Sequence, residues 1–158
     1  MDEKDLIQAG YRYALSLIHR EPEAEDLVQE AWLRLYQSRG SDLNRSLLFK
    51  AIRNLFIDQH RRSRLVVFEP FDEATYDAGV DPPAAEVSMA DLEKALDDLR
   101  PQEREAIYLH VVEEYTAREI AQLTDTPRGT VLSHIHRGKQ KLARQLGGTR
   151  IDPRENSV

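Results

Sequence analysis

The sequence has no cysteine, which excludes disulfides and thiolate metal sites and suits a reducing compartment. No apolar run approaches the length of a membrane span. The first residues, MDEKDLIQAGYRY, are acidic and hold no apolar signal core. A soluble, cytoplasmic protein without membrane insertion is expected. No β-alternation of useful length occurs, so strands are not expected. Also missing are a glycine-rich phosphate loop, a nucleophile elbow and a metalloprotease helix. His19, His60, His110, His134 and His136 are scattered, and the last two point to different sides of a helix, a poor spacing for one metal. Asp97-Asp98 and Glu113-Glu114 are neighbours about 100° apart on a helix, not convergent acid/base pairs. Neither an enzyme nor a cofactor or metal is indicated.

Aromatic residues make up only 7% of the 158 positions, whereas 32% are charged and 41% apolar. That balance fits solvated helices around modest cores. Two units of about sixty residues would each bury little surface and be marginally stable. The net charge of −6 is unevenly spread. Residues 39–65 carry seven basic against two acidic residues, and 127–150 carry six basic and none acidic. Between them, 66–99 hold ten acidic residues against Lys94 alone. Two basic blocks parted by an acid block imply two anion-facing surfaces.

Helical spacing runs through Ile7, Tyr11, Ala14 and Ile18, then Val28, Ala31, Trp32 and Leu35, then Leu48, Ala51, Ile52, Leu55 and Phe56. Residues 66–87 break it with Pro70, Gly79, Pro82 and Pro83, six acidic residues and no Lys or Arg, reading as an irregular linker. Ser88 with Asp91, and Thr116 with Glu119, fit capping boxes worth about 1 kcal/mol each. Thr126 before Pro127 marks a third helix start. The expectation is an all-α protein of two small helical domains, 1–65 and 88–146, with an acidic linker over 66–87 and a frayed tail over 147–158.

Thr116–Leu123 and a helix over roughly Pro127–Leu146 are separated by three residues, so they must cross steeply as in a helix-turn-helix. Ile120, Ala121, Leu123, Val131, Ile135 and Leu142 face inward, leaving Arg128, Ser133, Arg137, Gln140, Lys141 and Arg144 outside. A basic, polar helix face suits a major groove. The missing turn glycine and the mid-helix Gly138, worth about 1 kcal/mol against Ala, instead favour a plain helical hairpin.

The stretches LRPQEREAIYL (99–109) and YTAREIAQLTDTPRGTVLSHIHRGKQKL (115–142) resemble region four of the extracytoplasmic-function sigma factors, of the sigma-70 family. The resemblance implies that the second helix reads the minus-thirty-five promoter element through Arg128, Ser133, His136, Arg137, Lys141 and Arg144. Leu132 and His134 stand where many members carry Arg or Lys, so the promoter sequence does not transfer.

AEDLVQEAWLRLY (24–36) resembles sigma region two. That implies contacts from Asp26, Gln29 and Glu30 to the β′ clamp of the polymerase core, with region four on the β flap. In SLLFKAIRNLFIDQHRR (46–62), Lys50, Arg53, Asn54, Ile57, Arg61 and Arg64 step by three or four around one stripe. Cations flanking an amide suit single-stranded DNA. The resemblance implies that this stripe, with Arg62, melts and captures the minus-ten element, Asn54 lying at a pocket for an extruded base. It further implies a cognate anti-sigma factor, and a connector that threads towards the RNA exit path. Two other readings stay open: a sigma-like mimic that only sequesters an anti-sigma protein, and a stand-alone helix-turn-helix regulator.

Overall fold

The computed structural model describes residues 2–63 and 88–147. The acidic linker read over 66–87, and the tail beyond Gly147, lie outside the described residues. Within them, seven α-helices follow in order: α1 (Glu3–Leu17), α2 (Glu21–Arg39), α3 (Arg45–Ser63), α4 (Met89–Asp97), α5 (Pro101–Ile107), α6 (Ala117–Thr124) and α7 (Arg128–Leu146). A π-helical turn, Tyr108–Val112, continues α5. No strand occurs among the described residues, in line with the all-α expectation.

Helices α1 to α3 close around Leu6, Ala9, Tyr13, Leu17, Leu27, Val28, Ile52 and Phe56, all buried. The α1 stripe is displaced from the expected one. Leu6, Ala9, Gly10, Tyr13 and Leu17 face the core, while Ile7, Tyr11 and Ile18 are half-buried beside it. Gly10 is the reason: a Cβ there would meet Leu48 Cδ2 at 2.7 Å and Val28 Cγ2 at 2.9 Å. Only a bare backbone lets α2 and α3 approach α1 so closely, and that contact sets the helix rotation. Tyr13 then stacks on Phe49, ring centroids 4.5 Å apart.

In the C-terminal half one capping box is complete and one is half formed. Ser88 accepts from the Asp91 N–H, and Thr116 and Glu119 form a reciprocal box. Thr126 does not start α7: Pro127 takes the cap position, and the Thr126 hydroxyl instead meets that of Thr124 at 2.6 Å. The absent turn glycine is replaced by Asp125 at φ 53, a left-handed conformation that Asp tolerates. Gly138 also changes meaning. Its Cβ would lie 2.7 Å from Ile107 Cγ1, so its bare backbone permits α5 and α7 to pack.

Three carboxylates on the segment running from α5 through the π turn are buried. The side chains of Glu103, Glu105 and Glu113 are 1%, 3% and 2% exposed. Each meets a cation, as a buried charge must. Lys141 Nζ lies 2.6 Å from Glu103, which also caps α5 by accepting from the Arg100 N–H at 3.0 Å. Arg45 pairs with Glu113, which accepts from the Tyr108 hydroxyl at 2.7 Å. Glu105 Oε2 accepts from the Tyr13 hydroxyl at 2.5 Å and from Arg53 Nε at 2.9 Å. Burial, with Glu105 beside it, pushes the Tyr13 hydroxyl well above its ordinary value, so it remains a donor.

Two of those pairs, Arg53–Glu105 and Arg45–Glu113, join α3 to the C-terminal half. Arg104 adds a third tie. Its guanidinium donates to the carbonyls of Ser16 (2.8 Å) and Leu17 (3.1 Å) at the end of α1, and to Leu96 (3.1 Å) on its own side. Carbonyls at a helix C-terminus lack intrahelical partners and carry negative potential, so a cation is favoured there. Burial lowers the Arg104 group to about 10, against an opposing pull from Asp97, and it stays charged at neutral pH.

Two substitutions test this packing. Gly138→Ala should destabilise the protein by about 1 kcal/mol net, with overpacking of about 2 kcal/mol exceeding the helix-propensity gain of about 1. Chemical denaturation measures it; a gain in stability would contradict the close contact. Lys141→Ala should cost about 2 kcal/mol, discounted because the lysine is partly solvated, by leaving Glu103 without its cation. Arg144→Ala, an exposed position, should stay within about 0.5 kcal/mol of the parent.

Candidate nucleic-acid and polymerase interfaces

Asp26, Gln29 and Glu30 lie three and four residues apart on α2 and so share a face. Asp26 and Gln29 are exposed and Glu30 is half-exposed. Glu30 accepts from Arg34 at 2.8 Å and from Gln59 of α3 at 3.2 Å, and Gln29 donates to Glu25 at 3.3 Å. Asp26 and Glu30 open onto a cleft of about 710 Å³. Its opposite wall is the α4–α5 corner, with Asp97, Leu99, Pro101 and Arg104. The expected polymerase-facing side chains are brought together, and the C-terminal half faces them across the cleft.

The expected strand-binding stripe is divided. Lys50, Asn54 and Arg61 are exposed along one side of α3, with Ile57 half-buried between them. Arg53 is turned away from that side and buried against Glu105. Arg62 belongs to the last turn of α3, and Arg64 lies outside the described residues. The exposed row keeps the chemistry read from the sequence: an amide with a cation on either side along one helix face.

On α7, Arg128 and Arg144 are exposed, Ser133 and Arg137 are half-buried, and His136 is buried. Lys141 is tied to Glu103. In this conformation His136 is buried, Lys141 is drawn to Glu103 of α5 with its side chain still 37% exposed, and Arg128, Ser133, Arg137 and Arg144 remain on the outer side. Burial lowers the His134 group, Glu103 opposes this, and Arg137 and Arg100 add to it, so the ring is neutral at neutral pH. The helix-turn-helix carries two further exposed cations, Lys139 on α7 and Arg118 in the first turn of α6. Lys139 was within the basic block and could have been found by charge; Arg118 lies in an acidic stretch and could not. Among the described residues no group of three His, Asp or Glu side chains is placed to hold a metal.

Comparison with known proteins matches this arrangement. Residues 4–66 match the family model of Sigma-70 region 2, and residues 89–142 that of Sigma-70, region 4. The chain is 30% identical over 151 residues to the ECF RNA polymerase sigma factor SigL of Mycobacterium tuberculosis, across 89% of this chain and 85% of that one. It is 34% identical over 142 residues to the ECF RNA polymerase sigma factor SigE of Mycolicibacterium smegmatis, across 84% of this chain. It spans only 55% of that relative's length. The sigma factor RpoE of Bartonella quintana, solved in complex with the anti-sigma factor NepR, has a TM-score of 0.66 at 27% identity, over 90% of this chain and 92% of the other. With a region two of three helices, a region four ending in a helix-turn-helix, and relatives similar over most of its length, the chain belongs to the extracytoplasmic-function sigma factors of the sigma-70 family.

Proposed function

We propose that this protein directs a bacterial RNA polymerase core to particular promoters and starts transcription there, acting in the cytoplasm by binding and strand capture without covalent chemistry. The observation that carries the reading is the presence, in one chain and in family order, of two different anion-facing helices. The exposed row on α3 sets an amide between cations, and α7 presents Arg128, Arg137 and Arg144 from a helix-turn-helix.

In this reading Asp26, Gln29 and Glu30 meet the β′ clamp, and the C-terminal unit meets the β flap and the minus-thirty-five duplex. An acidic face offered to a basic partner contributes specificity and association rate more than affinity. Lys50 and Arg61, with Arg62 and Arg64, track the backbone of the minus-ten strand, and Asn54 reads an extruded base. The exposure of Asn54 supports that role, because a base edge can reach it without rearrangement of α3. Arg53, His136 and Lys141 join the DNA-binding sets only if they leave their present partners. Regulation by an anti-sigma protein is part of the proposal and is supported by the relative solved with NepR.

Run-off transcription with purified core polymerase over a genomic promoter library tests the reading. Discrete transcripts should appear only when both proteins are present. Asn54→Ala should reduce open complexes about tenfold, the worth of one good base contact. A mimic that only sequesters an inhibitor would give no transcripts, and a stand-alone regulator would shift promoter DNA equally well without polymerase.

A further inference from the structure

Glu103, the buried acid beneath α7, is already satisfied. Its Oε1 lies 2.6 Å from Lys141 Nζ and accepts from the Arg100 N–H at 3.0 Å. One turn back from Lys141, Gly138 rests on Ile107 of α5. One turn further back, on the same flank of α7, stands His134. Its ring is half-buried, and among the described residues it has no hydrogen-bond or ion-pair partner. The charged groups acting on it are Glu103 and Arg100 from the α5 side and Arg137 on α7 itself. Helices α4 and α6 also pack on α7. Asp97 and Asp98 at the end of α4 meet His19 and Gln145, and Glu119 of α6 accepts from the Thr116 N–H.

This setting keeps the ring uncharged in the free protein. Burial disfavours the imidazolium, and Arg137 and Arg100 repel it against the pull of Glu103. A DNA backbone phosphate that reaches Arg137 reverses the balance. It cancels the guanidinium charge three residues along the helix, and its oxygens offer the unbonded ring an acceptor. Both effects favour the charged ring. By reciprocity, whatever strengthens proton binding in the complex also strengthens DNA binding when the proton is present. The added affinity is therefore full at low pH and is lost as the pH rises through the range in which the DNA-bound ring titrates.

We propose that His134 is a proton-gated phosphate contact beside Arg137, through which the protein holds the minus-thirty-five duplex more tightly as the surroundings acidify. The ligand is a phosphate of the duplex backbone, and the proton comes from solvent. The proposal rests on the reading of α7 as the promoter-reading helix, and it adds to that helix a contact that is neutral until DNA arrives.

The test compares holoenzymes binding a labelled promoter fragment recovered by run-off transcription, between about pH 8 and about pH 5.5. The response of the polymerase core is common to every variant and cancels in the comparison. Across that interval the parent should gain about fivefold to tenfold more affinity than His134→Gln. His134→Arg carries a charge that does not titrate. At the upper end of the interval it should bind more tightly than the parent, and its affinity should vary no more than that of His134→Gln. Equal pH dependence in the parent and His134→Gln overturns the proposal, and so does an His134→Arg holoenzyme that gains nothing at high pH. A second measurement follows the His134 ring by nuclear magnetic resonance in the full chain without polymerase. Arg100→Gln, a change at an exposed position, should let the ring accept its proton at higher pH than in the parent; an unmoved ring overturns the charge cluster on which the contact depends. A parent holoenzyme that binds no promoter refutes the sigma-factor reading and the contact together, whereas equal pH dependence in holoenzymes that do bind refutes the contact alone.

Discussion

Buried carboxylates govern this molecule. A carboxylate removed from water is tolerated only where cations and hydrogen-bond donors replace its hydration. Glu103, Glu105 and Glu113 lie on one short segment, from α5 through the π turn, and each has recruited a basic residue from elsewhere in the chain. Lys141 comes from α7, and Arg53 and Arg45 come from α3. The first pair pins α7 onto α5 within the C-terminal half. The other two bring that half against the N-terminal one. Apolar packing joins the halves as well, with Tyr13 against Tyr108 and Phe49 against Tyr115.

The consequence for function is a division of the cations. Arg53 answers an internal acid and is turned inward, Arg104 is buried against backbone carbonyls, and Arg45 and Lys141 meet internal acids with their side chains still 33% and 37% exposed. Lys50 and Arg61 flank Asn54 on the outer side of α3, while Arg128, Lys139 and Arg144 line the outer side of α7. Arg53 stands at the border, with the surface row beside it and its carboxylate partner on the opposite half.

Much of the architecture was legible in the residues because it depends on local signals. The Thr116–Glu119 box, the Ser88 cap and the three-residue break before α7 involve neighbours in sequence, and the structure places helix boundaries within a residue or so of them. What escaped depends on who meets whom. The apolar residues of α1 could be drawn as a stripe through Tyr11 or through Tyr13; Gly10 decides, by admitting Leu48 and Val28. Phe49 lies beside the stripe through Leu48, Ile52 and Phe56, yet it is fully buried and stacks on Tyr13. Arg53, His136 and Lys141 read as surface residues because a basic helix stripe looks the same whether it faces phosphate or a distant glutamate. The acids that claim Arg53 and Lys141 lie in 100–126, outside the acid block over 66–99. Charge counted by segment locates anion-facing surfaces and is blind to pairing across them.

The division of cations is tested most directly by the salt dependence of promoter binding. Each phosphate-contacting cation contributes close to one unit to the slope of log affinity against log salt. With the holoenzyme on a promoter fragment recovered by run-off transcription, Arg144→Gln should reduce that slope by about 0.9, whereas Lys141→Gln should leave it unchanged. An equal loss of slope in both variants would mean that Lys141 meets DNA, and that Glu103 does not hold it inside.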